Sequence, residues 1–98
     1  RLLIKIDVEG AEYELLRGAK NTLILSPPPI WLIEVCFHEN FPQGFNPNFK
    51  KIFELFWKNG YSAFSLGLDL TPVTPDVIDR WVRNRKRDFG SVDFLMKV

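Results

Sequence analysis

The feature that most constrains the fold is an apolar run over residues 2–6, followed at once by acidic residues and a glycine. A short run of this kind, aliphatic and β-branched, is typical of a strand buried on both faces, as in a parallel sheet. Asp7, Val8 and Glu9 stand just past its end, where ligands bind in open α/β sheets. Gly10 permits a tight turn or a close approach of the backbone to a ligand. The stretch therefore predicts a strand that presents a site at its carboxyl end.

A helix and a second strand are predicted next. Apolar residues at helical spacing indicate a helix over residues 11–25, and Gly18 inside it lowers helix stability by roughly 1 kcal/mol relative to alanine. We expect the helix either to break at Gly18 or to use it for a close contact. The Ser-Pro-Pro-Pro segment at 26–29 cannot continue a helix. The apolar run over 30–37 predicts a buried strand, in which Glu34 is a carboxylate that needs a partner.

Two acidic residues, Glu12 and Glu14, lie at the start of the first predicted helix. Negative charge at this position stabilises the positive end of the helix dipole. We therefore expect Glu12 to act through the dipole, so that neutralising it changes stability by only a few tenths to about 1 kcal/mol.

An amphipathic helix is predicted in the middle of the chain. Turn-forming residues over 38–47 predict a loop before it, and loops of that length often bind a ligand. Asn46 is expected to cap the helix, with Pro47 at its first position and Gly60 at its end. Apolar residues at three- and four-residue steps mark the face of this helix that packs in the core, namely Phe49, Ile52, Phe53, Phe56 and Trp57.

The last third of the chain continues the alternation of strands and helices. Residues 61–66 and 92–98 have strand patterns, and Thr74 with Pro75 is expected to start a short helix between them. The predicted order is β-α-β-α-β-α-β. This alternation is typical of the α/β class.

Composition and charge exclude several classes of protein. With 46% hydrophobic residues the chain is too apolar for a disordered segment, and a net charge of +1 gives no overall field that would attract nucleic acid. The single cysteine, Cys36, excludes an internal disulfide. No signal peptide or membrane-spanning apolar run is present in the sequence, so a cytoplasmic location is expected. The basic run over 83–87 is expected to be a solvated helix end rather than a contact for phosphate or an acidic glycan.

Part of the pattern also resembles a known family, the FkbM methyltransferases. The resemblance rests on the octapeptide KIDVEGAE at residues 5–12, on Leu16 and residues 18–19, and on the Ile-Glu-Val of residues 33–35. It extends over nearly the whole chain. It implies an S-adenosylmethionine-dependent O-methyltransferase with a Rossmann-like, mostly parallel sheet, flanking helices and an antiparallel last strand.

One element of such enzymes is missing from the sequence. A Gly-rich loop of the G-x-G-x-x-G kind, which receives the cofactor after the first strand, does not occur. The resemblance therefore implies that residues 1–98 are the C-terminal half of the domain, without the cofactor-binding half. The parent reaction would be methyl transfer to a hydroxyl of a sugar, a glycan or a natural product.

The resemblance also assigns roles around the first strand. Asp7 matches the acidic position beside the methyl donor and the acceptor, where it would orient the hydroxyl, accept its proton or hold the donor. From their position after the strand, Val8 and Gly10 are expected to contact the cofactor and Glu9 the acceptor. Two alternatives remain for the acids: Asp7 caps the following helix, or Asp7 and Glu9 share a divalent cation, because hard cations take oxygen ligands.

Further candidates follow the second predicted strand, whose end lies at the same edge of the sheet as Asp7. His38 has the chemistry of a base for a hydroxyl, and Glu39 is placed to orient it. Glu34 would help to bind or orient the acceptor. The alternatives are a structural ion pair for Glu34 and an ordinary exposed loop position for His38.

A noncatalytic role is the competing hypothesis for the chain as a whole. An α/β interaction module or a structural remnant, without a cofactor-binding half, would pair with another chain through an open sheet edge beside residues 2–6. We accordingly expect a homo-oligomer, besides a small-molecule or glycan acceptor as the ligand of the parent enzyme.

Overall fold

The computed structural model describes residues 2–7, 10–39, 41, 44–67 and 69–98. The strands within these ranges are β1 (Leu3–Ile6), β2 (Ile30–Glu34), β3 (Ser62–Ser65), β4 (Thr71–Val73) and β5 (Asp93–Lys97). The helices are α1 (Glu12–Gly18), α2 (Lys20–Leu23), α3 (Phe49–Lys58) and α4 (Pro75–Asn84). In the part of the chain that the structure describes, no helix is long and apolar enough to cross a membrane.

The five strands form one sheet in the order β1-β2-β5-β3-β4. β1 and β2 are parallel, whereas β5 is antiparallel to both of its neighbours and β4 is antiparallel to β3. The α/β class and the antiparallel last strand are thus confirmed. The prediction of a mostly parallel sheet is wrong. β5 lies between β2 and β3, and it pairs antiparallel with each of them. The sheet is mixed.

One face of the sheet is covered by helices. α3 packs against α1 on one side and α4 on the other. The core-facing side predicted for α3 is confirmed. Four of its residues are buried and the fifth, Trp57, packs against the core: Phe49, Ile52, Phe53 and Phe56 are the buried ones. Ring contacts join α3 to the strands below it, as Phe53 meets Phe94 of β5 edge to face at 5.0 Å between centroids. Most of the buried apolar surface lies between this helical layer and the sheet.

The opposite face of the sheet carries Leu3 and Lys5 of β1, Leu32 of β2 and Leu95 of β5, all at least partly exposed. The prediction that residues 2–6 are buried on both faces is therefore wrong. Leu3 is 64% exposed, and within β1 only Ile6 is buried. The reason is that, among the described residues, β1 is an edge strand and no helix covers its outer face.

Several helix boundaries agree with the sequence signals. Thr74 caps α4, accepting a hydrogen bond from the Val77 N–H, and Pro75 is the first residue of the helix. Gly60 follows the end of α3 with a φ of +85°. The first predicted helix breaks after Gly18 into α1 and α2, and no atom lies within 4 Å of where a Gly18 Cβ would be, so the glycine serves no close contact.

The start of α3 differs from the prediction. Asn46 does not cap the helix; its side-chain oxygen accepts from the Asn48 N–H at 2.9 Å, and its amide donates to the Cys36 carbonyl at 3.0 Å. This local turn uses Asn46 and Pro47 before the helix begins, so α3 starts at Phe49 with Asn48 as its N-cap. Buried Asn46 thereby ties the loop to the end of β2.

One element was not predicted. α2 is the second piece left by the expected break at Gly18, whereas β4 contains Pro72, a residue that argues against a strand. β4 is nevertheless compatible with proline because it lies at the other edge of the sheet, where one side of its backbone needs no partner.

Candidate active site

Three carboxyl groups meet where β1 and β2 end. Asp7, Glu34 and Asp93 border a cavity of about 300 Å³ on the uncovered face of the sheet. Its remaining described lining consists of Lys5, Ile6, Leu32 and Leu66. The cavity is therefore acidic at one end and has both a cation and aliphatic surface beside the acids.

Strand register explains why these acids converge. Ile6 of β1 lies opposite Ile33 of β2, so the next residue of each strand, Asp7 or Glu34, reaches the same end of the sheet. Glu34 is in turn the cross-strand partner of Asp93. Because β5 is antiparallel, its first residue lies at the edge where the parallel strands finish. The sequence predicted that Asp7 and Glu34 share this edge, and the structure confirms it.

Asp93 was missed as a site residue. The available signal was the antiparallel direction expected for the last strand, since an acid at the beginning of such a strand lies near the carboxyl ends of the others. What could not be predicted from the sequence is that β5 is the immediate neighbour of β2.

The environment of Glu34 makes its carboxyl hard to ionise. Burial raises its pKa above the ordinary value of 4.5, and the negative charges of Asp7 and Asp93 raise it further. A hydrogen bond with the Asp7 carboxyl acts in the same direction, because it favours the protonated form of Glu34. Among the described residues Glu34 forms no salt bridge, so the ion-pair alternative is not supported. Oε1 of Glu34 also accepts a hydrogen bond from the Cys36 thiol, with Sγ 3.9 Å away.

We expect Glu34→Gln to increase stability at neutral pH. Below pH 4.5 the Glu34 carboxyl is protonated in both the folded and the unfolded chain. As the pH rises, Glu34 ionises first in the unfolded chain. The free energy of unfolding therefore falls until the pH has passed the raised pKa of the folded state. Glutamine removes this penalty and still offers an N–H to Asp7. Urea unfolding at about pH 7 and about pH 3.5 checks this, with a gain only at the higher pH. An equal gain in the matched Glu14→Gln variant, on the exposed side of α1, would contradict the assignment.

The turn after β1 is held by a buried carboxylate. Gly10 has a φ of +104°, which favours glycine, and its N–H donates to Oε2 of Glu12 at 2.6 Å. Oε1 of the same side chain accepts from the N–H of Cys36 at 3.2 Å. Glu12 is 0% exposed, so the prediction that it acts through the helix dipole is wrong. Its carboxylate joins the segment that follows β1 to the segment that follows β2.

Asp7 does not cap the helix after it. The N-cap of α1 is Ala11, and no side chain accepts a hydrogen bond there. The capping alternative is therefore not supported, and the Asp7 side chain remains at the cavity. Val8 and Glu9, predicted as cofactor and acceptor contacts, lie outside the described residues.

His38 and Glu39 point to other partners. Nδ1 of His38 lies 3.1 Å from the Gly44 carbonyl oxygen, and Nε2 lies 2.9 Å from that of Arg85. A neutral imidazole can donate only one of these two hydrogen bonds, whereas the imidazolium donates both. Glu39 does not orient His38, because it pairs with Arg87 at 2.7 Å and accepts from the Phe37 N–H. Within the described residues neither side chain borders the cavity at Asp7.

The basic run at the end of α4 packs on the loop rather than being wholly solvated. The Arg87 guanidinium holds the pKa of Glu39 down at about 2, below its ordinary value. Arg85 is left-handed, with a φ of +55°, and its guanidinium lies 4.2 Å from the ring centroid of Phe45. Arg83 and Lys86 are exposed. The run thus fastens the loop after β2 to α4.

A shared metal ion was the other alternative for the acids after β1. No group of three or more His, Cys, Asp or Glu side chains in the described ranges has the geometry to hold one. The divalent-cation alternative would also need Glu9, which lies outside those ranges. The described residues therefore do not test this alternative.

Comparison with known proteins identifies the family. Residues 2–63 match the family model described as the methyltransferase FkbM domain, which is well over half of the chain. The matched segment runs from β1 into β3 and includes Asp7, Glu34 and His38 but not Asp93. No curated protein and no solved structure gives a significant match. The resemblance of the octapeptide is thus confirmed, and the chain belongs to the FkbM family of methyltransferases.

Proposed function

We propose that this chain forms the acceptor side of an S-adenosylmethionine-dependent O-methyltransferase. Membership of the FkbM family supports methyl transfer. The observation that carries the proposal is the convergence of the Asp7 and Glu34 side chains on one cavity at the carboxyl ends of parallel strands. The acceptor is a hydroxyl of a sugar, a glycan or a natural product. The β-strand order and the antiparallel β5 are compatible with the second half of a Rossmann-like methyltransferase sheet.

The charge of the cavity suits the donor. S-adenosylmethionine supplies an electrophilic methyl group on a positively charged sulfur, and it also carries an ammonium group. Carboxylates of Asp7 and Asp93 at the rim favour such cations by direct Coulomb attraction. A volume of about 300 Å³ is at the lower end of ligand pockets, so these residues would hold the reacting centre and leave the nucleoside to other parts of the domain.

The carboxyl pair supplies a place for the proton that the acceptor loses. In the transfer, the bond between the donor sulfur and the methyl carbon would break, with its electron pair left on sulfur, as the acceptor oxygen bonds to that carbon. The hydroxyl proton would move to a carboxylate oxygen of Asp7, which is the exposed member of the pair. Glu34, whose pKa is raised by burial and by the charge of Asp7, lies beside Asp7 and would help to orient it. Lys5 and the aliphatic Leu32 beside the acids offer contacts for the rest of the acceptor. Alignment of the two reactants would then contribute several kcal/mol to lowering the barrier.

The isolated 98-residue chain should bind S-adenosylmethionine only weakly. Its sequence has no Gly-rich loop to receive the nucleoside, and one edge of a site cannot supply the roughly −8 kcal/mol that a micromolar Kd requires. Isothermal titration calorimetry measures this directly, with the Asp7→Asn variant as the matched control. A micromolar Kd would contradict the proposal that the nucleoside is held elsewhere.

A noncatalytic module that pairs through a sheet edge is the second candidate. The exposure of Leu3 on the unpaired edge strand β1 favours it. Transfer of labelled methyl from S-adenosylmethionine to a panel of sugar and natural-product acceptors separates the candidates, provided that the enzyme assayed includes a Gly-rich donor-binding segment. Product formation that depends on Asp7 supports the enzyme; no product with any acceptor class supports the module.

A further inference from the structure

A second cavity, of about 240 Å³, lies between α2 and the last turn of α3. α2 leads into the first residue of β2 and α3 into the first residue of β3, whereas the acids stand where β1 and β2 finish. The two cavities are therefore at opposite ends of the sheet. Lys20 and Lys58 border the second cavity, and its apolar surface comes from Leu23, Ile24 and Leu55. None of its described lining residues is acidic.

The lysines of this cavity belong to a larger basic surface. Lys51 and Lys58 lie on one face of α3, because seven residues are about two turns of a helix. That face borders α1, since Nζ of Lys51 lies 5.9 Å from the ring centroid of Tyr13. The guanidinium carbon of Arg17 lies 5.8 Å from the same centroid. Four cations therefore flank the groove that α1 and α2 form with α3: Arg17, Lys20, Lys51 and Lys58.

The acids of these helices do not cancel that charge at the cavity. Glu14 and Glu54 are exposed, but neither borders it. Glu12 is buried and accepts hydrogen bonds from backbone N–H groups. The other lysine of α3, Lys50, pairs with Asp79 of α4 at 2.7 Å and so faces the opposite side of the helix. The positive surface is thus local, although the net charge of the whole chain is only +1.

Two large apolar side chains are exposed beside these lysines. Ile24 borders the cavity and is 68% exposed, and Leu25, the next residue, is 45% exposed. They lie between the end of α2 and the prolines at 27–29, which cannot extend the helix. Isolated exposed apolar residues are ordinary, whereas adjacent ones rimmed by cations are typical of an interaction surface.

This surface differs from the one at which the donor-binding half of the proposed enzyme would join. That half would continue the sheet beside β1. Ile24 and Leu25 precede β2, which lies between β1 and β5, and the lysines of α3 are exposed on the helical layer. The surface is therefore built from elements of this chain and does not depend on the free side of β1.

We propose that the groove between α2 and α3 docks on the surface of an anionic phospholipid bilayer. Lipid phosphates contact Lys20 and Lys58, and Ile24 and Leu25 enter the boundary between the headgroups and the acyl chains. A soluble phosphate would satisfy the lysines but leave both aliphatic side chains in water. The combination of cations with protruding aliphatic side chains thus favours a lipid surface. The docking does not depend on methyl transfer and goes beyond the proposed function.

Co-sedimentation of the 98-residue chain with sucrose-loaded vesicles tests the docking. One set of vesicles is phosphatidylcholine alone, and the other is an equimolar mixture of phosphatidylcholine and phosphatidylserine. We expect binding to the second set only, and weaker binding as salt screens the lysines. Lys20→Gln and Lys58→Gln should each lower the partition coefficient roughly fivefold. Lys50→Gln is the matched control, because it removes the same charge from α3 on the side that faces α4.

The apolar contribution is measured separately. Ile24→Gln should lower the partition coefficient roughly fivefold and leave its salt dependence unchanged. Leu70→Gln is the matched control, since Leu70 is 48% exposed but lies just before β4, at the far edge of the sheet. All of the substituted side chains are exposed, so folding should persist, and far-UV circular dichroism checks that it does.

Three outcomes would contradict the proposal. No binding to the anionic vesicles, or equal binding to both sets, overturns docking on an anionic bilayer. An effect of Lys50→Gln as large as that of Lys58→Gln overturns the location. If glycerol 3-phosphate binds the chain and Ile24→Gln leaves vesicle binding unchanged, the lysines bind a soluble phosphate, and the lipid assignment is wrong.

Discussion

Replacing Asp7 by asparagine in the complete enzyme should lower turnover by about 10² to 10⁴ while leaving the fold nearly intact. Asparagine keeps the shape of the side chain and can still hydrogen bond to Glu34, but it cannot accept a proton from the acceptor hydroxyl. Asp7 is exposed and does not cap α1, so its loss removes no structural hydrogen bond at the helix start. Initial rates of methyl transfer and thermal melting of the same preparations measure the two effects.

The charge of Asp7 has a second consequence that can be measured. Because that charge helps to raise the pKa of Glu34, Asp7→Asn should move the Glu34 pKa back toward its ordinary value. Glu14→Gln is the matched control, as an exposed acid in the first turn of α1. If Asp7→Asn retains near-full turnover, or loses activity only by unfolding, Asp7 is not the base. His38→Ala would then be the next variant, although both ring nitrogens of His38 already face carbonyl oxygens.

The largest expected loss of stability comes from Glu12→Gln. The two carboxylate oxygens of Glu12 accept from two different backbone donors, the N–H groups of Gly10 and Cys36. Glutamine keeps one oxygen but turns an NH₂ group toward the other N–H, so that one donor is left without an acceptor in a buried position. Loss of a charge-assisted hydrogen bond with an unsatisfied partner destabilises by roughly 2–4 kcal/mol. For a chain of this size that lowers the Tm by ~10 °C or more.

Thermal and urea unfolding of Glu12→Gln beside Glu14→Gln measures the difference. The control neutralises a charge in the same turn of α1, but its side chain is exposed, and only a few tenths to about 1 kcal/mol should be lost through the helix dipole. Equal losses in the two variants would show that the hydrogen bonds of Glu12 contribute nothing beyond its charge.

Local signals predicted the parts of the fold that local chemistry decides. The Thr74 cap with Pro75 and the stop of α3 at Gly60 depend only on neighbouring residues, and both are where the sequence placed them. The predicted start of α3 was wrong. The Asn46 amide donates to the distant Cys36 carbonyl, and its side-chain oxygen accepts from the Asn48 N–H in a turn, so Asn46 does not cap the helix. Contacts across ten residues are not visible in a cap pattern.

The site was predictable where strand direction alone decides it. Two parallel strands must end at the same edge, and Asp7 and Glu34 accordingly meet there. The role of Glu12 was predicted wrongly, because a carboxylate in the first turn of a helix is expected to be exposed. Its burial depends on backbone partners that the sequence does not reveal. Asp93 needed the order of the strands, which no local pattern contains. The catalytic role of Asp7 stays a prediction that the variants above decide.

The position of β5 also decides how the chain can fold. β2 and β3 do not pair with each other; each pairs with β5, which is the last element in the sequence. Until Asp93–Lys97 has left the ribosome, the nascent chain can hold only two separate strand pairs, β1 with β2 and β3 with β4. The joining step brings together segments far apart in sequence, and such non-local closure slows folding. Completion of the sheet, and with it the placement of Asp93 beside the acid pair, therefore waits until β5 is available for pairing.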